Sequence, residues 1–191
     1  MLDKALLFLT TELNDYFGRT FQLLEDRAVL SAHVNPDGTP VTGIVNKMSV
    51  SLVNLATEST VRNLQTERVG NGELRLNPAI KLNLWVLFAA NFTEYDEALK
   101  FLSSTLAFFQ GRPVFTPQNS PRLDRSFDRL VVELESLTYH ELSNLWGVLG
   151  SKYVPSAVYK VKLVTIQDGA VRDRTPAVSG LGLNPTPRAA P

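Results

Sequence analysis

The chain has 191 residues, with 44% hydrophobic and 20% charged side chains, and 19 basic residues balance 19 acidic ones to a formal net charge of zero. That composition fits one ordinary globular domain, or one domain with an arm. It argues against a dedicated nucleic-acid binder or a polybasic membrane-surface protein, since both carry a basic surplus. Cysteine is absent and there are only two histidines, His33 and His140. Disulfides, thiolate nucleophiles and Cys-ligated metal centres are therefore excluded, and no His-rich metal site can be built within one chain. No run approaches the roughly 18 apolar residues of a membrane span. The apolar Ala5–Leu9 stretch lacks a basic leader and a small-residue cleavage site, so the expectation is folding in the cytoplasm.

Leu2, Ala5, Leu6, Leu9, Leu13, Tyr16 and Phe17 form one stripe at helical spacing, and Gly18 predicts the stop. Residues 26–33 read as a strand. Asn35-Pro36-Asp37-Gly38 reads as a turn, and a second strand follows near 44–55. Residues 57–79 are polar and long for a plain connection. They read as a mobile loop or as an extended hairpin centred on Asn71-Gly72. The clearest strand is 80–90. Ile80, Leu82, Leu84, Val86 and Phe88 share one face and Trp85, Leu87 and Ala89 the other, the pattern of a central strand buried on both sides.

A helix follows, with Thr93 and Asp96 as an approximate capping box and Tyr95, Ala98, Leu99, Leu102, Leu106 and Phe109 as its stripe. Gly111 and Pro113 end it. After the Pro-rich linker 116–121 comes a strand at 129–136, with Leu130, Val132 and Leu134 on one face. Thr138-Tyr139-His140-Glu141 is a capping box that opens a short helix with Leu142, Leu145, Trp146 and Leu149 inward, broken by Gly147 and Gly150. The last strand, 157–166, carries Lys160 and Lys162 on one face, which suits an edge or solvent-facing strand. Residues 176–191 hold four of the eleven prolines and no aromatic residue, so they read as a tail or arm. The fold class is α/β (α+β): a mixed sheet of about five strands packed by an N-terminal helix and two further helices. The expected domain spans 1–170, with an extended arm at 171–191.

The chemical inventory is poor. His140 beside Glu141, with Glu133 on a strand, offers an acid–base couple, but adjacent helix residues do not face each other and Glu141 is the expected capping residue. Gly70-Asn71-Gly72 has no Lys-Ser/Thr sequel and is not a phosphate loop. No nucleophile elbow exists. Trp85 and Trp146 lie in apolar segments that suit a core or a subunit interface. No catalytic, cofactor-binding or metal-binding residue is assigned, and no cofactor is expected.

Three stretches carry a resemblance. The first is the opening helix from Ala5 to Tyr16, followed by Ser51-Leu52-Val53-Asn54-Leu55 and the polar loop with Arg62-Asn63. The second runs from Leu82-Asn83-Leu84-Trp85 to Asn91-Phe92, then Tyr95–Leu102, Phe108–Phe115 and Asn119-Ser120-Pro121. The third is Glu141–Gly150 with Lys152-Tyr153, Pro155-Ser156 and Tyr159-Lys160-Val161. In this order they resemble the N-terminal domain of the cap, or tail-terminator, protein of phage-tail-like contractile injection systems. The resemblance covers nearly residues 1–168 and leaves the terminal arm outside.

What it implies is structural rather than catalytic. Six copies would form a ring at the end distal to the baseplate, stop the inner tube and tie the last sheath layer to it. The implied partners are further copies of the chain, the inner tube protein and the sheath protein, in a phage-tail-like particle either released or membrane-anchored. A neck or baseplate adaptor of a complete phage tail is the neighbouring alternative, and a small hydrolase using His140 the alternative of another class. Interface candidates are Arg62, Arg68 and Arg75 in the polar loop, Arg112 after the second helix, Tyr159, Lys160 and Lys162 on the last strand, and Arg172 and Arg174 in the arm. The arm from Val171 carries three arginines against one aspartate, leaving the preceding residues at −2.

Overall fold

The computed structural model describes the chain at residues 1–58, 66–69, 72–76, 81–165 and 171–175. It divides into two compact units, one of residues 1–58 with 80–166 and one of residues 59–79 with 167–191.

The first unit is a three-layer arrangement around a six-stranded sheet. Its strands are β1 (Ala28–Leu30), β2 (Lys47–Thr57), β5 (Lys81–Asn91), β6 (Val114–Phe115), β7 (Phe127–Glu135) and β8 (Ser156–Thr165), in the order β1-β2-β5-β8-β7-β6. β1 and β2 run parallel and every other neighbouring pair is antiparallel. Helices α1 (Leu2–Phe21) and α2 (Tyr95–Gly111) cover one face, and α3 (Tyr139–Leu149) covers the other. The second unit is a three-stranded antiparallel sheet of β3 (Thr66–Val69), β4 (Gly72–Leu76) and β9 (Val171–Thr175), in the order β3-β4-β9.

β5 is central, as its two-sided apolar pattern predicts. Leu84, Val86, Phe88 and Ala90 join the main core with α1 and α2, while Leu87 and Ala89 join Trp146 and Val158 under α3. The main core is rich in aromatic rings. Phe17 meets Phe101 at 5.0 Å between centroids, Phe88 meets Phe109 at 5.0 Å, and Phe109 meets Tyr159 at 4.9 Å. The first two meet edge-on and the third is tilted, and aromatic pairs of this kind add roughly 0.5–1.5 kcal/mol each to the burial of the rings.

Several expectations need correction. α1 does not stop at Gly18 but continues to Phe21, because the Phe21 ring packs on Phe17 and Phe101. The reversal comes at Gln22 (φ 55°), with Leu23 N–H donating to the Gly18 carbonyl in a Schellman-type closure. The strand expected at 26–33 shrinks to three residues. Asn14 of α1 holds its start instead, accepting from the backbone N–H of Arg27 and Ala28 and donating to the Ala28 carbonyl. The cap of α2 is Glu94, not Thr93, whose N–H is donated to Asn46 Oδ1. Its buried stripe is rotated too. Phe101, Thr105 and Phe108 lie inward beside Ala98 and Phe109, whereas Tyr95 and Leu99 are exposed.

The hairpin in the second unit pairs Val69 with Gly72, one residue earlier than Asn71-Gly72 predicts. The expected strand at 129–136 begins at Phe127 and ends at Glu135, and Leu134, next to that end, is exposed where Leu130 and Val132 on the same face are buried. α3 runs through Gly147 and ends at Gly150 (φ 64°), where the left-handed backbone favours glycine. Its Thr138–Glu141 capping box forms as expected.

The expected edge position of the last strand is also overturned. β8 lies between β5 and β7, so both its ladders are occupied and its lysines mark a polar face instead. The true edges are blunted. β1 has three residues and β6 two. Beyond β1, β2 bulges between Leu52 and Asn54, and Asn54 Oδ1 accepts the Leu55 N–H at 2.8 Å. Short strands, bulges and side chains that occupy the open groups all disfavour accidental strand pairing.

His33 is the one buried histidine. Its Nε2 lies 3.1 Å from Ser49 Oγ and its ring stands edge-on to Trp146, while Nδ1 has no partner among the described residues. Burial pushes its pKa below the ordinary histidine range, so the folded chain favours the neutral ring. A lowered native pKa means that the associated stability is complete above the unfolded pKa of roughly 6.5 and is lost as pH falls through the native value. Urea midpoints measured between about pH 7.5 and 5 should therefore fall more steeply for the unmodified chain than for His33→Gln, with the slopes merging above about pH 7. Parallel curves would refute the buried-neutral assignment.

Candidate interface surfaces

α1 presents Lys4, Glu12 and Asp15 to the segment that follows α2. Three ion pairs form a seam there. Lys4 Nζ meets Asp124 Oδ2 at 2.8 Å, Arg112 Nη1 meets Glu12 Oε2 at 2.7 Å, and Arg122 pairs with Asp15. Hydrogen bonds from Lys4 and from Ser126 hold the Asp124 carboxyl well below the usual range. The two outer pairs are exposed, and such pairs contribute about 0–1 kcal/mol.

The middle pair is different. The Glu12 side chain is only 12% exposed. Arg112 also donates from Nη2 to the Asn119 carbonyl and to Ser120 Oγ, and its guanidinium lies 4.9 Å from the Phe115 ring centroid. One planar fork thereby ties a helix end, a turn and a strand together, a role that lysine's point charge cannot reproduce. Beside it opens a recess of about 490 Å³ lined by Glu12, Asp15, Arg19, Arg112, Ser120, Pro121 and Arg122.

The opposite face of the sheet carries the expected strand lysines. Lys160 lies directly across from Trp85 in the ladder, and its Nζ sits 5.4 Å from the indole centroid. Lys162 pairs with Glu133 at 2.7 Å, on the diagonal rather than directly opposite. Trp146, by contrast, is a core residue of the layer under α3.

Tyr159 is not a surface residue. It is 3% exposed, its ring packs on Phe88 and Phe109, and burial pushes its hydroxyl up to about 12. Its place on the strand opposite in parity to Lys160 turns it inward. Arg112 and the two lysines lie on different layers of the first unit and form no common patch. Arg68, Arg75, Arg172 and Arg174 fall on β3, β4 and β9, with Arg68 opposite Glu73 and Arg75 opposite Asp173 in register. Arg62 lies outside the described residues.

The residues of the hydrolase alternative are engaged elsewhere. Glu141 Oε2 accepts from the N–H and hydroxyl of Thr138, and those bonds lower its pKa. Glu133 pairs with Lys162, and His140 Nε2 meets Asn144. Among the described residues no group of three or more His, Asp or Glu converges as a metal site, and no helix is long and apolar enough to cross a membrane.

Sequence reasoning missed Glu12, Asp15, Arg19 and Arg122. The signal was present in part, since Glu12, Asp15 and Arg19 recur at i, i+3 and i+7 on the polar side of α1.

Arg112→Ala should destabilise the first unit by about 2 kcal/mol, because it strands the largely buried Glu12 carboxylate and removes a donor from the Ser120 hydroxyl. Arg112→Lys should recover less than half of that loss. Urea unfolding checks both values, and a change below about 0.5 kcal/mol for the alanine variant would show the fork to be dispensable.

Comparison with known proteins gives a consistent result. The tube and sheath terminator of an extracellular contractile injection system, called PVC and seen in its extended state, superposes with a TM-score of 0.55. It is 13% identical, over 95% of this chain and 64% of that one. The tube-terminating cap of the anti-feeding prophage superposes with a TM-score of 0.52 at 16% identity, over 91% of this chain and 60% of that one. The chain thus spans about three fifths of the length of each. No curated protein sequence matches it. The Pvc16 N-terminal domain family matches residues 7–180, and the chain belongs to that family.

Proposed function

We propose that this chain caps a contractile injection system, closing the baseplate-distal end of the inner tube as a ring of six copies and anchoring the last sheath layer. The observation that carries the reading is family membership over residues 7–180, supported by a fold shared with two terminators. The reading is structural, not enzymatic.

The physical logic is compatible with the fold. A tube or sheath grows by repeating one heterologous contact, so a terminator must satisfy the last exposed surface without offering a fresh copy of it. The short edge strands and the β2 bulge of the six-stranded sheet suit that task, since they offer only short and irregular edges to the strand of another chain. With β8 enclosed, strand addition to the sheath is assigned to the arm after β9 alone. Residues 176–191 lie outside the described residues. Their proposed role rests on the compositional reading and on their position after Thr175. Arg62, Arg68, Arg75, Arg172 and Arg174 remain proposed contacts with tube or sheath.

Electron microscopy of purified particles carrying a labelled copy of this protein should place the label at the end opposite the baseplate. Label at the baseplate, or at a neck joining a capsid, would refute the cap reading. Deleting residues 176–191, which keeps β9, should leave tube ends capped while sheath is lost from them. Unchanged sheath retention on those particles would remove the anchoring role from the arm.

A further inference from the structure

Two surfaces at opposite ends of α2 keep groups that neither the core nor the ion-pair seam engages fully. At its N-terminus Thr93, Glu94, Tyr95 and Asp96 are all exposed, Tyr95 to 67%, and Leu99 one turn further on is exposed as well. Glu97 pairs with Lys100, but neither Glu94 nor Asp96 has an ion-pair partner among the described residues. This tip is therefore an aromatic side chain flanked by two carboxylates.

At the other end lies the recess beside Arg112. Arg112 itself is engaged by Glu12, Asn119 and Ser120. Arg19 donates only its Nε, to the Asp15 carbonyl, and Arg122 only its Nη1, to the Asp15 carboxylate. Both keep guanidinium N–H groups for another acceptor, and Pro121 supplies an apolar wall between charged neighbours. Three arginines against two carboxylates leave the recess lining at +1, and Glu94 with Asp96 leaves the tip at −2.

The two surfaces are complementary in charge and different in shape, and they belong to one rigid helix. α2 has 17 residues, a length of about 25 Å. The tip therefore cannot reach the recess of its own chain.

We infer that the Glu94-Tyr95-Asp96 tip of one copy docks into the Arg19–Arg122 recess of the next. The carboxylates accept from the free guanidinium forks, and the Tyr95 ring lies against Pro121 and an arginine plane. A contact between two unlike patches is heterologous, the type from which a closed ring is generated. An isologous dimer would need one self-complementary patch, and the tip, whose Glu94 and Asp96 are both acidic, repels a second tip. The inference rests on the ring proposed above and names the surfaces that close it.

The test is a charge exchange read by sedimentation velocity over a concentration series at low salt. Arg19→Glu and Asp96→Arg should each weaken self-association about tenfold or more, and the combined variant should return it to within about threefold of the unmodified chain. Single reversals without effect, or a combined variant that fails to recover, would overturn the contact. Folding is checked in each variant by circular dichroism, and recovery in the combined variant excludes a folding defect as the cause.

Because the chain has no cysteine, a second measurement is clean. Glu94→Cys combined with Arg122→Cys should give a ladder of disulfide-linked multimers on oxidation, both in solution and in capped particles. A disulfide within one chain is excluded by the separation along α2. Particles whose cap is a ring but yields no ladder would overturn this contact and leave the ring standing. Particles that carry a single copy would overturn both.

Discussion

The two-sided burial of β5 is the constraint on which the first unit depends. Leu84, Val86 and Phe88 face the helices α1 and α2, while Leu87 and Ala89 face α3, and all five are fully buried. A strand buried on both faces must have a paired neighbour on each side, because its backbone groups have no access to water. β2 and β8 supply those ladders over ten and nine register pairs. Once they are in place, Phe88 of β5 and Tyr159 of β8 receive Phe109 of α2, while Phe101 and Phe108 of α2 meet Phe17 and Tyr16 of α1. Each such phenylalanine contributes on the order of 2–3 kcal/mol by burial alone. That outweighs the exposed ion pairs, whose contributions are each below about 1 kcal/mol.

Polar groups decide position more than stability here. Asn14 fixes where β1 starts, Asn46 turns the chain into β2 through a left-handed backbone (φ 55°) while accepting from Thr93, and Arg112 joins three segments at the end of α2. Each satisfies backbone or side-chain groups that would otherwise be left without partners, which is why single side chains set the geometry of whole connections. The seam along α1 is built the same way, and it leaves two arginines with spare donors at the rim of the recess.

The sheet edges and the helix ends therefore have opposite characters. The edges are short, bulged or self-satisfied, so they resist the addition of strands. The ends of α2 carry unlike charge, so they favour directed contact between unlike surfaces. The proposed cap, joining an assembly without prolonging its polymer, would have use for both.

The sequence by itself determined the class, most of the elements and the two apolar faces of β5, because periodicity reports burial on either side of a strand or helix. All five expected strands of the first unit and its three helices are present, and the Thr138–Glu141 cap forms as its spacing requires. It also carried the family resemblance, since an ordered set of local segments survives where overall identity is low. The sixth strand, β6, has only two residues and leaves no pattern.

What only the tertiary structure decided was adjacency. Strand order placed β8 inside the sheet, a fact that no single strand encodes, and with it the polar-face role of Lys160 and Lys162. The rotation of α2 depended on which face met β5 and α1, so Tyr95 and Leu99 went to the surface while Phe101 and Thr105 went inward. The recess likewise exists only because residues 12–19 and 112–122, about a hundred positions apart, are brought together by the packing of two helices. Local patterns record what a residue needs; partners distant in the chain are fixed by which surfaces can be buried together.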